Sequence, residues 1–260
     1  MTVPLAMEVK RLVIEGLPDW IEEQPELRRR LWEMLALSPV EGMGEIPRQL
    51  PQKMTYEEFL AWADEDTLAE WVDGKVVMYS PASKRHQQIV SFLGKVLGTF
   101  VEQHNLGIVL SAPFQMKLEH GREPDLLFVA QEHQNRIKET YLDGPADLVV
   151  EIVSPESVER DRGAKFYEYA RGGVPEYWLI DPQIQWAEFY WLEEERYRMT
   201  FCGEEGEYRA LTLPGFWLRV EWLWQEPLPH HLRALGEVAG VEVEVVERFL
   251  QALGGGESIG

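Results

Sequence analysis

Residues 146–182 read ADLVVEIVSPESVERDRGAKFYEYARGGVPEYWLIDP, and this stretch predicts how the sheet is built. The run at 148–153 is short, apolar and rich in β-branched residues, which is typical of a buried strand. A helix carrying Asp161 and Lys165 follows, and a second strand comes at 176–180. A strand, a crossover helix and a strand of this size predict a right-handed βαβ unit with a parallel strand pair.

A carboxylate, Glu151, lies in the middle of the first of these strands. An ionised glutamate between apolar neighbours is costly to desolvate unless a cation, a partner or its own protonation compensates. Asp125 follows Pro124 and leads into another apolar strand, a position where an aspartate is commonly a turn residue. Two carboxylates on neighbouring strands repel, which raises at least one pKa unless they share a proton or a cation. Hard divalent cations such as Mg²⁺ take oxygen ligands and are often held by one or two carboxylates.

Two further residues have both a functional and an ordinary interpretation. Lys165 could place a positive charge near a scissile phosphate, but it also lies four residues after Asp161, the spacing of an exposed helix ion pair. Glu70 lies on the first strand of a hairpin predicted around Asp73-Gly74, where an exposed strand acid is the alternative. From the pattern alone the surface pair is the simpler explanation for Lys165, and both interpretations of Glu70 stay open.

A long amphipathic helix is predicted for residues 83–103, because apolar residues recur there at helical spacing. Lys84, Arg85 and His86 occupy its first turn. Three potential cations at the start of a helix could bind an anion such as phosphate. An ordinary exposed cluster is the alternative.

The length and composition of the chain exclude some kinds of site and partner. The chain has 260 residues, 10 Trp, one cysteine (Cys202) and a formal net charge of −20, so it can bury a large core but cannot form an intramolecular disulfide or a cysteine metal cage. Such an acidic body repels nucleic acid unless basic residues gather locally, and Lys84-Arg85, Arg122, Arg160 and Arg162 could do so. No run of roughly 20 apolar residues is present, so we predict a cytoplasmic protein without a membrane partner.

The remaining segments predict a sheet edge and two extensions. Strands are predicted at 108–118, 185–191, 196–201 and 208–213. Edge strands rich in Trp and Phe indicate a covered or dimerised surface. We predict that residues 1–52 are an N-terminal extension, mostly helical, with a helix at 22–37. We predict that residues 225–260 are a C-terminal helical extension with a helix at 243–253 and a glycine-rich tail.

Several motifs, taken in order, carry a resemblance to a known family. They are MTYEEF at 54–59, EWVDGKV at 70–76, SP at 80–81 with His86, EPDL at 123–126, LVVEIVSPES at 148–157, DRGAK at 161–165 with Tyr169, GVPEYW at 173–178 and DP at 181–182. In this order and spacing, residues 53–224 resemble the Uma-type family of restriction-endonuclease-like proteins in the PD-(D/E)XK nuclease superfamily. The resemblance implies an α/β (α+β) fold in which a mixed β-sheet is flanked by helices.

The resemblance also implies a metal site. Asp125 and Glu151 would be ligands of Mg²⁺ or Mn²⁺, and the Ile152 backbone carbonyl would be a further ligand. The lysine that the superfamily places two residues after the second acid is Val153 here. The resemblance implies that Lys165, on the following helix, takes its place.

Glu70 would be the family's early acid and would reach the metal directly or through water, while His86 matches a recurring family histidine. The implied activity is a Mg²⁺- or Mn²⁺-dependent endonuclease acting on DNA phosphodiester bonds, and we expect a homodimer. Two alternatives stay open. One is a catalytically silent module on the same fold that binds nucleic acid or a protein partner, which the net acidity favours. The other is a hydrolase that uses Asp125 and Glu151 as paired acid and base, as glycosidases do.

Overall fold

The computed structural model describes residues 53–63, 69–78, 82–155 and 157–254. The predicted N-terminal extension, with its helix at 22–37, lies outside the described residues, as do residues 255–260 of the glycine-rich tail. None of the helices within the described ranges is long and apolar enough to cross a membrane.

The elements follow one another along the chain from α1 to α5. The first half contains α1 (Tyr56–Trp62), β1 (Ala69–Val72), β2 (Lys75–Met78), α2 (Lys84–Gln103), β3 (Gly107–Ser111), β4 (Gln115–Lys117), β5 (Gly121–Arg122), β6 (Leu126–Ala130), a 3₁₀ helix (Gln131–Arg136) and β7 (Tyr141–Asp143). The second half contains β8 (Leu148–Ile152), a π-helical segment (Arg160–Ala164), α3 (Lys165–Gly172), β9 (Glu176–Asp181), β10 (Trp186–Glu193), β11 (Arg196–Gly203), β12 (Glu207–Arg209), β13 (Trp217–Arg219), a 3₁₀ helix (Val220–Trp224), α4 (His231–Val238) and α5 (Val243–Leu253).

A six-stranded sheet with the order β11-β10-β9-β8-β6-β3 forms the centre of the fold. β8 and β9 run parallel, with Leu148 paired to Glu176, and the helical segment of 160–172 crosses between them. The other neighbours in this sheet are antiparallel. The predicted βαβ unit and the predicted mixed sheet flanked by helices are therefore confirmed.

Both faces of this sheet are covered, and strand alternation decides which residues of β8 face which helix. Val150 and Ile152 belong to the core that includes the apolar face of α2. Val149 and Val153 belong to the opposite core, which includes residues of α3. Glu151 therefore points to the α3 side of the sheet.

A second sheet, with the order β2-β1-β5-β4-β7, brings residues that are distant in sequence toward α3. Its hairpin turns at Asp73-Gly74, where both residues have positive φ (51° and 80°), as the favoured two-residue hairpin turns require. β1 carries Glu70 and β5 carries Arg122. The predicted hairpin is confirmed, and it delivers Glu70 to the site described below.

The helix starts follow from capping chemistry. The Thr55 hydroxyl accepts a hydrogen bond from the Glu58 backbone and the Glu58 carboxylate accepts one from the Thr55 backbone, so a capping box starts α1. The Ser83 hydroxyl accepts a hydrogen bond from the His86 backbone N–H at 3.1 Å. This cap starts α2 at Lys84, so the predicted helix at 83–103 is confirmed.

Three predicted strand boundaries were inaccurate. The single strand predicted at 108–118 is two strands, β3 and β4, separated at Pro113, which has no backbone N–H to donate to a sheet. In place of the strand predicted at 208–213, the shorter strand β12 covers Glu207–Arg209. It pairs with β13 in a separate two-stranded sheet. The strand predicted at 185–191 continues to Glu193, and with β11 it extends the central sheet as predicted. α5 confirms the helix at 243–253, and α4 was not predicted.

Candidate active site

A cavity of about 590 Å³ opens at the carboxyl ends of the parallel strands β8 and β9. Its wall is formed by the start of α2, the segment before β6, the end of β8, the π-helical segment and the start of α3. Ligand sites commonly lie at the carboxyl ends of parallel strands. Six of the predicted site residues line this cavity: Arg85, His86, Asp125, Glu151, Ile152 and Lys165.

The antiparallel pairing of β6 with β8 brings Asp125 to the end of β8. Leu126 pairs with Val150, and the Ile152 backbone N–H donates a hydrogen bond of 2.7 Å to Asp125 Oδ2. His86 Nε2 lies 3.2 Å from the same oxygen. The structure therefore places Asp125, Ile152 and His86 together at the cavity.

His86, in the first turn of α2, is buried next to Asp125. Burial lowers its pKa, but the hydrogen bond and charge of Asp125 outweigh burial, and the Ile152 backbone adds to them, so the pKa of His86 lies above its usual value. Its Nδ1 atom is buried and has no hydrogen-bond partner among the described residues. A protonated His86 thus places positive charge next to Asp125.

Glu151 extends from β8 toward α3 and is almost fully buried. Its Oε1 atom accepts hydrogen bonds from Lys165 Nζ at 2.8 Å and from the Tyr169 hydroxyl at 2.7 Å. Burial raises the pKa of Glu151 to about 8, because the opposing effect of Lys165 is smaller and the charges of Asp161 and Asp125 raise the pKa further. The carboxylate that interrupts the apolar strand therefore has a cationic partner and an elevated pKa.

Lys165 is the centre of an acidic cluster. Its Nζ atom lies 2.8 Å from Glu151 Oε1, 3.0 Å from Glu70 Oε1 and 3.6 Å from Asp161 Oδ1. Lys165 and Asp161 are each only 2% exposed, so the interpretation of this pair as a surface ion pair is wrong. Asp161 Oδ1 is buried at the cavity and accepts no hydrogen bond from the residues that the structure describes, and burial raises the pKa of Asp161.

Glu70 lies beyond Lys165 and is fully buried. Its Oε2 atom is 2.9 Å from Arg122 Nη1, and its Oε1 atom accepts a hydrogen bond of 3.2 Å from the Glu123 backbone N–H. The interpretation of Glu70 as an exposed strand acid is therefore wrong. Its contact with a metal, directly or through water, stays a prediction.

Sequence reasoning did not single out two residues of the site. Glu123 lines the cavity, accepts a hydrogen bond of 2.9 Å from Gln115 Nε2, and burial raises its pKa to about 7. Tyr169, one helical turn after Lys165, donates to Glu151. Both residues lie within the motifs of the resemblance, but a glutamate before proline and a tyrosine in a helix carry little signal on their own.

The basic residues divide into two groups. Arg85 donates from Nη2 to the Leu223 carbonyl at 2.7 Å, and its Nη1 atom is buried at the cavity without a hydrogen-bond partner among the described residues. Lys84 is exposed on the same turn. Arg122 and Arg162 are buried in ion pairs with glutamates, so they do not join an exposed basic cluster as the sequence suggested.

A comparison with protein-family models identifies the family of this chain. The family model Uma2, described as "Putative restriction endonuclease", matches residues 56–221. The chain belongs to the Uma2 family. The Uma2 match includes every residue that lines the cavity, from Ala82 to Gln183. No curated protein matches the chain.

A solved structure shares the fold of this Uma2-family chain. It is described as the crystal structure of "a putative nuclease belonging to DUF820" from Anabaena variabilis. The TM-score is 0.56, with 18% sequence identity over 66% of this chain and 97% of the other. At this identity the likeness confirms the fold alone.

The cavity residues fit a divalent metal in their donor chemistry. The cavity presents the oxygens of Asp125, Glu151, Glu123 and Asp161, and Asp161 Oδ1 accepts no hydrogen bond within the described part of the chain. Across the described residues, no group of three or more His, Cys, Asp or Glu side chains forms a metal cage. Mg²⁺ is commonly held by one or two carboxylates, with water and substrate phosphate as the other ligands, so a site of this kind needs no cage.

Proposed function

We propose that this Uma2-family chain is an endonuclease that hydrolyses phosphodiester bonds of DNA with the help of Mg²⁺ or Mn²⁺. The observation that carries the proposal is the convergence of Asp125, Glu151 and Lys165 on one cavity. Two acids on neighbouring strands and an amine from the next helix are the groups that metal-assisted phosphodiester hydrolysis needs.

Asp125, Glu151 and the Ile152 backbone carbonyl would hold the ion in this proposal. A divalent cation supplies a Lewis acid that polarises a phosphoryl oxygen and offsets the charge that develops during hydrolysis. The Ile152 N–H orients Asp125 through a hydrogen bond of 2.7 Å, and the Tyr169 hydroxyl orients Glu151. Both contacts hold the carboxylates in place before a substrate arrives.

Lys165 would supply positive charge beside the scissile phosphate. Its Nζ atom contacts Glu151, and both Lys165 and Val153, the residue at the superfamily's usual lysine position, line the cavity. An ammonium on a flexible four-carbon chain can reach the same space from α3. This contact supports the proposed replacement of the superfamily lysine by Lys165.

Arg85 and His86 would contact the phosphates of the substrate. Arg85 is fixed through Nη2, while Nη1 has no hydrogen-bond partner among the described residues. A guanidinium of this kind is well suited to binding a phosphate. Lys84, exposed on the same turn, would add long-range attraction in a chain whose net charge is −20.

The direct test is cleavage of supercoiled plasmid DNA with Mg²⁺, with Mn²⁺ and with EDTA. Wild type is expected to nick DNA only with a divalent ion, and Asp125→Asn, Glu151→Gln and Lys165→Met are expected to lower the rate by about 100-fold or more. Glu119→Gln is the matched control, because Glu119 is 62% exposed in a surface pair with Arg171. Equal nicking by all variants would indicate a contaminating nuclease and contradict the proposal.

Mn²⁺ binding, measured by electron paramagnetic resonance, separates the alternatives. Asp125→Asn is expected to weaken Mn²⁺ binding, while Glu119→Gln leaves it unchanged. DNA binding without cleavage or Mn²⁺ binding would favour the catalytically silent module. Hydrolysis of a sugar conjugate in EDTA would favour the paired acid and base. Homodimerisation, a cytoplasmic location and the domain bounds 53–224 stay predictions.

A further inference from the structure

A continuous series of buried charges extends from Lys165 away from the cavity. Lys165 Nζ lies 3.0 Å from Glu70 Oε1, and Glu70 Oε2 lies 2.9 Å from Arg122 Nη1. Arg122 also donates from Nε to Glu168 Oε2 at 2.8 Å, and its Nη2 lies 2.7 Å from the same oxygen. None of the four residues is more than 3% exposed.

The series ends at the protein surface. The His120 backbone N–H donates a hydrogen bond of 3.1 Å to Glu168 Oε1, and His120 Nδ1 lies 2.9 Å from Glu168 Oε2. On its other side, His120 Nε2 lies 3.0 Å from Asp73 Oδ1, and the Asp73 side chain is 80% exposed. The charges alternate along the whole path, from the hairpin turn of the second sheet to the cavity.

The charge balance indicates what Arg122 does. Glu70 and Glu168 carry two formal negative charges, and Lys165 and Arg122 carry two positive charges. Without Arg122, the buried Glu70 carboxylate would lose the cation at its Oε2 atom, while Lys165 also lies beside Glu151 and Asp161, and desolvated like charges of this kind repel strongly. The Lys165 ammonium would then be drawn toward Glu70 and away from Glu151.

The geometry of the two cations strengthens this argument. A guanidinium is planar and offers its donors in a fixed fork, whereas an ammonium is a point charge on a flexible stem. Arg122 uses that fork to hold Glu70 with one nitrogen and Glu168 with two others. Arg122 can therefore fix the orientation of the Glu70 carboxylate, whereas the Lys165 ammonium cannot.

We infer that Arg122 is a positioning residue: by holding Glu70, it keeps the Lys165 ammonium against Glu151 at the cavity wall. The inference rests on the proposed function in one respect, because it treats Lys165 as the amine that acts on the substrate. Arg122 itself touches neither substrate nor metal in this view. Glu168 holds the Arg122 guanidinium on the side away from Glu70.

The test follows Lys165 directly, so that it does not depend on nuclease activity. The side-chain nitrogen of Lys165 is observed by NMR in protein labelled with ¹⁵N-lysine, and Lys165→Met identifies its signal. Arg122→Gln is expected to move the Lys165 signal, because the carboxylates around Nζ rearrange. Arg171→Gln is the matched control, since Arg171 is 65% exposed on the same helix, and it is expected to leave the signal in place.

The kinetic prediction is a lower kcat with little change in KM for Arg122→Gln. A small misplacement of a reacting group can cost about 100-fold in rate, while the substrate contacts of Arg85 and His86 are untouched. Arg122→Lys keeps the charge but loses the fork, and it is expected to recover only part of kcat. If Arg122→Gln does not fold, Glu168→Gln removes the second anchor of Arg122 and is expected to move the Lys165 signal in the same way.

The outcomes separate the two proposals. An unchanged Lys165 signal in both folded variants would overturn the positioning role, whatever the activity. Absence of metal-dependent cleavage by wild type would overturn the proposed function, while a moved Lys165 signal would still support the link from Arg122 to Lys165.

Discussion

Replacing Glu151 by glutamine is expected to stabilise the metal-free protein while removing its proposed function. Glu151 is almost fully buried, and burial raises its pKa to about 8 from a usual value of 4.5. A folded-state pKa above the unfolded value means that the folded protein holds the proton more tightly, so its stability rises as the pH falls from about 8 toward 4.5. Glutamine keeps the shape of the side chain and carries no charge at either end of this range.

The size of the effect follows from the two pKa values. Each pKa unit corresponds to about 1.4 kcal/mol, so the buried carboxyl costs about 3 kcal/mol of folding free energy at pH 7 and about 1 kcal/mol at pH 5. The effect of Lys165 is already contained in the pKa of about 8. We therefore expect Glu151→Gln to be more stable than wild type by about 3 kcal/mol at pH 7.

Thermal unfolding in EDTA, followed by circular dichroism, measures this difference. For a chain of this size about 1 kcal/mol corresponds to a Tm change of about 2–4 °C. The Tm advantage of Glu151→Gln is expected to be clear at pH 7 and to shrink by about 2 kcal/mol in equivalent free energy at pH 5. Glu119→Gln is the control, because an exposed ion pair contributes at most about 1 kcal/mol.

Two results would refute this reasoning. The first is a variant that is less stable than wild type at pH 7 in EDTA, which would mean that the Glu151 carboxylate stabilises the fold. The second is a Tm difference that is equal at pH 5 and pH 7, which would mean that Glu151 does not titrate in this range.

Two further predictions concern ion pairs outside the cavity. Burial lowers the pKa of His120, but its hydrogen bonds to Glu168 and Asp73 and the charge of Glu168 together outweigh burial and leave that pKa above its usual value. The stabilisation by His120 is therefore complete at acidic pH and is lost as the pH rises through the raised pKa. We expect His120→Gln to lower Tm more at pH 5.5 than at pH 8.5. An equal loss of Tm at both pH values would contradict this. Arg162 is fully buried, with Nη2 2.6 Å from Glu188 Oε1 and Nη1 3.5 Å from Asp181 Oδ2, so Arg162→Met leaves two buried acids without their cation. We expect a loss of about 3–5 kcal/mol in urea unfolding, partly recovered by adding Glu188→Gln, and a wild-type midpoint for Arg162→Met would show that the acids are neutral in the folded protein.

Local patterns were sufficient to predict the main elements. The β-branched run at 148–153 and the Asp73-Gly74 turn act through contacts within a few residues, and the strand and the hairpin predicted from them were confirmed. The amphipathic helix predicted at 83–103 was confirmed as well. The errors came at strand ends, where pairing with a distant partner decides the length. β12 is short because β13, and not the central sheet, pairs with it.

The candidate site combines both kinds of information. Asp125 and Glu151 were singled out by their positions, because an acid in an apolar strand is unusual enough to require a partner. Lys165 was predicted from the resemblance. The identity of that partner was not predictable from local pattern, since Lys165 and Asp161 have the spacing of an ordinary surface pair. Burial of both residues at the cavity depends on α3 packing against the sheet.

The contacts that join Glu70, Arg122 and Glu168 depended entirely on the tertiary structure. These residues lie on β1, β5 and α3, and the fold brings them together over as many as 98 positions of sequence, from Glu70 to Glu168. Neither a glutamate on a hairpin strand nor an arginine before Glu-Pro-Asp indicates which charge its side chain will contact in the fold. Hydrophobic periodicity involves residues that are near one another in the sequence, so it can be read from the sequence alone. The pairing of buried charges depends on which surfaces the folded sheets bring into contact.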